Sequence, residues 1–226
     1  MTMRLSIIIP AYNEEENLSR TLEKLLGRGH EVIVVDGKSK DATTRVARTM
    51  GASVLVSEKG RGLQMALGAA KAKGDVLWFV HADTLVPKDF AEQISRALKD
   101  SKVVWGAFAL GVQRRTPGLD LICLGANLRT RLFNLPYGDQ TLFVRRDAYI
   151  KAGGFAPIPL MEDVDLAKKL GRIGRFCMVR ARVYTSARRW QQEGLCARTL
   201  KNYSLLLRYA LGSSPFVLAK KYPDSR

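Results

Sequence analysis

"VLWFVHADTLV", residues 76–86, decides how the chain is read. Valine, tryptophan and phenylalanine dominate its first five residues, the composition of a buried strand. His81, Ala82 and Asp83 then arrive with no turn glycine to separate them, and the apolar run resumes. An ionised carboxylate is expensive to bury unless something pairs with it. Asp83 is therefore either a helix cap or a cation holder.

Around this stretch the first half of the chain alternates. Strand-like runs occupy Arg4–Ile9, Glu31–Val35, Ser53–Val56 and Asp75–Val80. Helical patterns lie between and after them: Glu14–Leu26 (with Leu18, Leu22, Leu25 and Leu26 on one face), Asp41–Met50 with Asp41 as N-cap, Gly62–Lys73, and Pro87–Leu98 with Pro87 in its first turn. Such alternation implies an α/β fold with a Rossmann-like, mostly parallel sheet covered on both faces. Ligands of such sheets bind outside the carboxyl ends of the strands. After Val103 the rhythm changes. Strands are expected at Val104–Leu110, Gln140–Arg145 and Phe176–Thr185, and helices at Gly118–Phe133, Glu162–Leu170 and Glu193–Leu211. This mixed half reads as an elaboration of the same domain, so residues 1–226 form one unit in three parts: 1–103, 104–192 and a basic helix and tail over 193–226.

The chain's 226 residues suit one such domain. Three scattered cysteines (Cys123, Cys177, Cys196) and only two histidines argue against a structural zinc site. A reduced, cytoplasmic compartment is expected, with the inner face of the membrane as an open alternative. The opening apolar run ends at Pro10 and three glutamates, unlike a signal peptide. No segment supplies the ~20 apolar residues of a membrane span. The net charge is +16, and from Arg172 onward twelve Lys/Arg stand against Glu193 and Asp224, a net of +10. Such a field favours polyanions: nucleic acid, an anionic membrane or phosphorylated small molecules.

Three polar clusters fall just past strands one, two and four: "PAYNEEEN" (10–17), "DGKSKD" (36–41) and "HAD" (81–83). All three bring carboxylates to the expected crevice, which suits Mg²⁺ or Mn²⁺ beside substrate phosphates. GxxxxGK[ST] is absent, which excludes a P-loop enzyme, and no GxGxxG follows the first strand. Arg61 opens a helix whose small residues Ala66, Ala69 and Ala70 are expected to pack on the sheet, and it can meet a phosphate there. "MEDVDL" (161–166) offers acids that either favour a helix dipole or supply a general base. "SARRW" (186–190) holds a diphosphate or sugar ring, or else is a surface cation–π pair.

Together "SIIIPAYNEEENL", "VIVVDGKSKDAT", "KGRGLQMALGA", "FVHADT", "GDQTLFVRR" and "MEDVDLAKKL", six motifs in order, resemble the family 2 glycosyltransferases, which have the GT-A fold. More narrowly they are similar to a bacterial subgroup labelled "transferase 2, radical-SAM/selenodomain-associated". The resemblance implies an inverting transfer from a nucleotide-diphospho-sugar, expected to be a UDP-sugar, to a hydroxyl acceptor that can be lipid-linked. It implies Asp163 as catalytic base, with Glu162 beside it in the "ED" pair. Pro10, Ala11, Tyr12 and Glu14 would line the nucleoside pocket, and Asp36 and Gly37 would border it. Arg61, Gln64, His81, Ala82, Gln140, Arg189 and Trp190 complete the expected donor site. Asp83 matches the last acid of the DxD motif, which binds a divalent cation, Mn²⁺ or Mg²⁺. Two departures stand out. His81 replaces the first acid of that motif, so the metal would rest on Asp83 and His81, and Gly37 replaces a second acid after strand two.

Two other classes stay open. A sugar-nucleotidyltransferase would carry a glycine-rich, lysine-bearing loop where this chain has "PAYNEEEN". A basic nucleic-acid-binding module would interleave aromatics with basic residues, which the first half does not do; no nucleic acid partner is expected. The C-terminal helix, with Leu195, Leu200, Leu206, Leu207 and Leu211 among Arg198, Lys201 and Arg208 and with Lys220, Lys221 and Arg226 beyond, either lies on anionic lipid or packs its leucines on the core. The packing alternative is the preferred expectation.

Overall fold

The structure, a computed structural model, describes residues 3–220 and residue 222. The strands are β1 (Leu5–Ala11), β2 (Glu31–Asp36), β3 (Ser53–Val56), β4 (Val76–Phe79), β5 (Val103–Val112), β6 (Phe143–Arg145) and β7 (Arg175–Thr185). They form one seven-stranded sheet in the order β3-β2-β1-β4-β6-β5-β7. Only β6 runs against its neighbours, pairing antiparallel with β4 and β5, while β5 and β7 pair parallel. The mostly parallel α/β architecture is as expected.

Ten helices accompany the sheet among the described residues: α1 (Glu15–Leu25), α2 (Thr43–Thr49), α3 (Arg61–Lys71), α4 (Phe90–Ala97), α5 (Pro117–Phe133), α6 (Arg146–Lys151), α7 (Glu162–Gly171), α8 (Arg188–Glu193), α9 (Leu195–Ala210) and α10 (Pro215–Lys220). Strand alternation divides the core in two. Ile7, Ile9 and Trp78 face α1 and α4 through Leu18, Leu22, Phe90 and Ile94. Ile8, Leu77 and Phe79 face α3 and α7 through Met65, Ala69, Leu166 and Leu170. Helix α3 lies so close to β1 that a Cβ on Gly68 would sit 2.5 Å from Ile8 Cγ2, which reserves that position for glycine. Its sheet-facing side is Met65, Gly68 and Ala69; Ala66 is half-buried and Ala70 is exposed, contrary to the expected alanine face.

Three further expectations are corrected. Pro87 does not start a helix: Leu85 pairs with Tyr184 of β7, which holds the chain extended, and α4 begins at Phe90. Residues 140–142 are not strand; Gly138–Gln140 is a 3₁₀ turn that precedes β6. The C-terminal helix packs only some of its leucines, Leu195, Leu205 and Leu206, on the core. In α9 the buried residues are Arg198 and Leu205, while Leu200, Leu207 and, just beyond, Leu211 are exposed. The covered side carries Leu205, which packs with Leu160, Met161, Val164 and Leu218, and Arg198, seven residues earlier, which is held inward by Glu193 (2.8 Å) and by the Tyr222 hydroxyl. Lys221, Asp224 and Arg226 lie outside the described residues.

Candidate active site

The carboxyl ends of β1 and β2 are held open by side-chain hydrogen bonds. Gln64, buried on α3, donates through Nε2 to the carbonyls of Ala11 and Val35, both at 2.7 Å. Gly37 permits this approach, since a Cβ there would lie 3.2 Å from Gln64 Nε2. The result is a cavity of about 600 Å³ lined by Pro10, Ala11, Tyr12, Lys59, Arg61 and Gln64 on one side and Pro157–Leu160 on the other. Lys59 Nζ lies 3.9 Å from the centre of the Tyr12 ring. This volume accepts a nucleoside-sized ligand.

A second cavity, about 130 Å³, adjoins the first at Arg61, Leu160, Arg189 and Tyr222. His81 and Asp83, past the end of β4, form one wall, and Gly138, Asp139 and Asp163 another, with Arg188, Arg189 and Trp190 of α8 closing it. Asp83 thus fills a cavity wall and caps no helix. Ahead of α7, Met161 adopts a left-handed conformation (φ 65°). Such a backbone costs of order 1 kcal/mol or more in a non-glycine residue. The two acids that follow part ways: Glu162 Oε1 turns inward to Arg61 Nε at 3.0 Å, and Asp163 Oδ2 accepts from the Gly138 amide at 2.7 Å. Asp163 Oδ1 accepts from the amide of Val164. A side chain on Gly138 would displace the His81 ring, because a Cβ would come within 2.8 Å of His81 Nε2.

Burial pushes the Glu162 carboxyl above its ordinary range; Arg61 opposes the shift and Asp163 adds to it. Burial likewise pushes Asp139 up to about 6, against the pull of Arg129 and with Asp163 and Asp83 adding to the rise. Two like charges in one desolvated site raise the cost of ionising a third group there.

Of the residues expected at the site, Pro10, Ala11, Tyr12, Arg61, Gln64, His81, Asp83, Asp163, Arg189 and Trp190 line one or both cavities. Six do not. Glu14 is buried and pairs with Arg188 Nη2 at 3.1 Å. The Asp36 carboxylate accepts from the amide and hydroxyl of Ser39. The Gly37 amide donates to the Ala11 carbonyl, and the Ala82 carbonyl accepts from Thr21 Oγ1. Gln140 is fully buried and bonds Thr130, Arg129 and Phe108. Glu162 braces Arg61. Sequence reasoning missed Tyr137, Asp139, Arg198 and Tyr222, all lining the second cavity, and reached Arg188 only as part of "SARRW". A faint signal existed for Asp139, which stands inside the quoted "GDQ"; Arg188 and its partner Glu14 are too distant in sequence to suggest each other.

Among the described residues no group of three or more His, Cys, Asp or Glu could hold a metal ion by itself. Asp83 and His81 face the cavity as a pair, a donor set that fits a cation completed by phosphate oxygens and water.

The family model for "Glycosyl transferase family 2" matches residues 6–155, from β1 past α6. A dolichol-phosphate mannosyltransferase of Pyrococcus furiosus is 35% identical over 108 residues, covering 43% of this chain and 31% of that protein. The chain thus spans about a third of the length of that relative. Among solved structures, a mannosyltransferase of Pyrobaculum calidifontis in complex with GDP-Man and Mn²⁺ superposes with a TM-score of 0.70 at 18% identity, over 98% of this chain and 69% of that one. Glucosyl-3-phosphoglycerate synthase of Mycobacterium tuberculosis, with Mn²⁺, UDP and its product, gives 0.67 at 19%, over 99% and 82%. These likenesses establish the fold as GT-A type. With two thirds of its length matched to the family model, including the ends of β1 and β4 that border the cavities, the chain belongs to glycosyl transferase family 2.

Proposed function

We propose that the chain is an inverting glycosyltransferase that moves a sugar from a nucleotide-diphospho-sugar, taken as a UDP-sugar, to a hydroxyl acceptor. The observation that carries this reading is the meeting of Asp163 with Asp83, His81 and four arginines in one cavity that opens into a nucleoside-sized one. The base and ribose lie against Pro10–Tyr12, and the diphosphate spans from Arg61 to Arg188 and Arg189. Guanidinium groups suit phosphate oxygens geometrically as well as electrostatically. A divalent cation held by Asp83 and His81 would neutralise charge on the departing diphosphate. Its presence in the two solved neighbours supports this role.

The step balances simply. The acceptor oxygen forms a bond to the anomeric carbon as the bond from that carbon to the diphosphate oxygen breaks on the opposite face. The acceptor proton passes to Asp163, and the bonding pair leaves with the nucleoside diphosphate. The Gly138 amide keeps Asp163 aimed into the cavity, and Glu162 fixes Arg61 for the leaving group. Electrostatic groups held in place before reaction are the strongest contributors to such a step.

A thermal-shift panel of nucleotides and nucleotide-sugars, each with and without Mn²⁺, tests the reading. A ligand at a hundred times its Kd stabilises the folded state by about 2.7 kcal/mol, a rise of a few degrees in Tm. UDP and UDP-sugars are expected to raise Tm, more so with Mn²⁺. Failure of every nucleoside diphosphate to do so would remove the proposal.

A further inference from the structure

Two neighbouring helices turn their leucines to solvent. On α5, Leu121, Leu124, Leu128 and Leu132 are 68, 64, 53 and 63% exposed, at the spacing of a single helical stripe. On α9, Leu200, Leu207 and Leu211 repeat the pattern at 69, 61 and 78%. The helices touch: a Cβ on Gly118 would lie 2.8 Å from Leu195, and one on Gly125 would lie 3.6 Å from the Tyr203 hydroxyl. Exposed apolar patches of this kind mark interaction surfaces.

Charge selects the occupant. Exposed Arg208 of α9 and exposed Arg131 within the α5 stripe put cations on this face, with Lys201 half-buried beside Glu193. A second copy docked face to face would set these cations together, because the nearby carboxylates are already engaged, Asp120 by Arg115 and Glu193 by Arg198 and Lys201. An anionic bilayer satisfies both features, taking leucines at the acyl boundary and cations at the phosphates.

Between the same helices runs a narrow cavity of about 40 Å³, bordered by Ile122 and Ala126 of α5 and Thr199 and Asn202 of α9. It shares Asp139, Trp190 and Asn202 with the cavity that holds Asp163. Asp139 Oδ1, Thr199 Oγ1 and Trp190 Nε1 are buried there without a hydrogen-bond partner among the described residues. The cleft has room for little more than one hydroxyl or phosphate oxygen; its acceptor, hydroxyl and donor atoms suit such a group, and flanking leucines suit an apolar tail.

We infer that the α5–α9 face docks on an anionic lipid bilayer, and that the cleft between the helices takes a headgroup oxygen and so points a lipid-borne hydroxyl acceptor toward Asp163. The acceptor's part rests on the glycosyl-transfer reading; the docking does not.

The full chain is spun with vesicles of phosphatidylcholine containing a minority of phosphatidylglycerol, and with vesicles of phosphatidylcholine alone. It should sediment with the first, less so in high salt. Leu124→Glu with Leu128→Glu should cut that partition about tenfold or more, as should Leu207→Glu, because each removes an inserted side chain and adds a repelled charge. UDP-dependent thermal stabilisation should be unchanged in these variants. Vesicle binding should also shift tryptophan emission in the wild type and not in Trp190→Phe. Absence of sedimentation with the anionic vesicles, or equal binding by the variants, would overturn the docking. A dimer abolished by the leucine substitutions, without vesicle binding, would assign the face to a second copy and overturn it too. Binding without any emission change would place the cleft away from the headgroups. If vesicles bind while no nucleotide stabilises the wild-type chain, the transferase reading falls and the docking stands.

Discussion

The two walls of the cleft are braced by different physics. The donor wall, at the ends of β1 and β2, is held by neutral hydrogen bonds from Gln64 and by the backbone of the parallel sheet. The opposing wall is held by charges: Glu162 reaching across to Arg61, Arg188 with Glu14, and Asp139, its Oδ1 buried, in the field of Asp163 and Asp83. Neutral bonds keep their strength across pH and salt, whereas buried carboxylates do not. The donor wall is therefore a fixed frame, and the reacting wall is where ionisation is tuned.

That contrast can be broken most forcefully at Gln64. Gln64→Leu withdraws one donor from two buried carbonyls, at a cost of about 1–3 kcal/mol in stability. The loss should be the same at acid and neutral pH when followed by denaturant unfolding. A loss confined to one end of the pH range would mean that the donor wall is also electrostatic.

Asp139 sharpens the other side, with a smaller effect. Its folded-state value, about 6, lies above the ordinary value of 3.8, so the folded state holds this proton more tightly than the unfolded chain does. The associated stability is fully present below about pH 4 and is lost as pH rises through about 6. Asp139→Asn should then be more stable than the wild type at neutral pH, by about 1–2 kcal/mol, and should lose the advantage near pH 4. Unfolding midpoints measured without added divalent cation check this, and an Asn variant that is less stable at neutral pH would show Asp139 to be held ionised.

The same contrast explains what could be read from sequence. β3 was legible to the residue and α5 to within one, because periodicity and punctuation are local. The ends of β1, β2 and β4 converge as any parallel sheet requires, so Pro10–Tyr12 and His81–Asp83 were placed by topology. The reacting wall depends on pairs far apart in the chain. Arg188 lies 174 positions from Glu14, and Tyr222 reaches back to Arg189 and Arg198. The leucines of α9 misled for a related reason. Helical spacing puts Leu200, Leu207 and Leu211 on one face and Leu205 on another but does not say which face is covered, and here it is the one that carries Arg198 and Leu205.

The most direct test of the account is Asp163→Asn, which keeps the size of the side chain and removes its basicity. Measured with the nucleotide-sugar that stabilises the chain in the presence of Mn²⁺, donor affinity should match the wild type while turnover falls at least about a hundredfold. Turnover near that of the wild type would contradict the assignment of Asp163 as the base and, with it, the reading of the cavity.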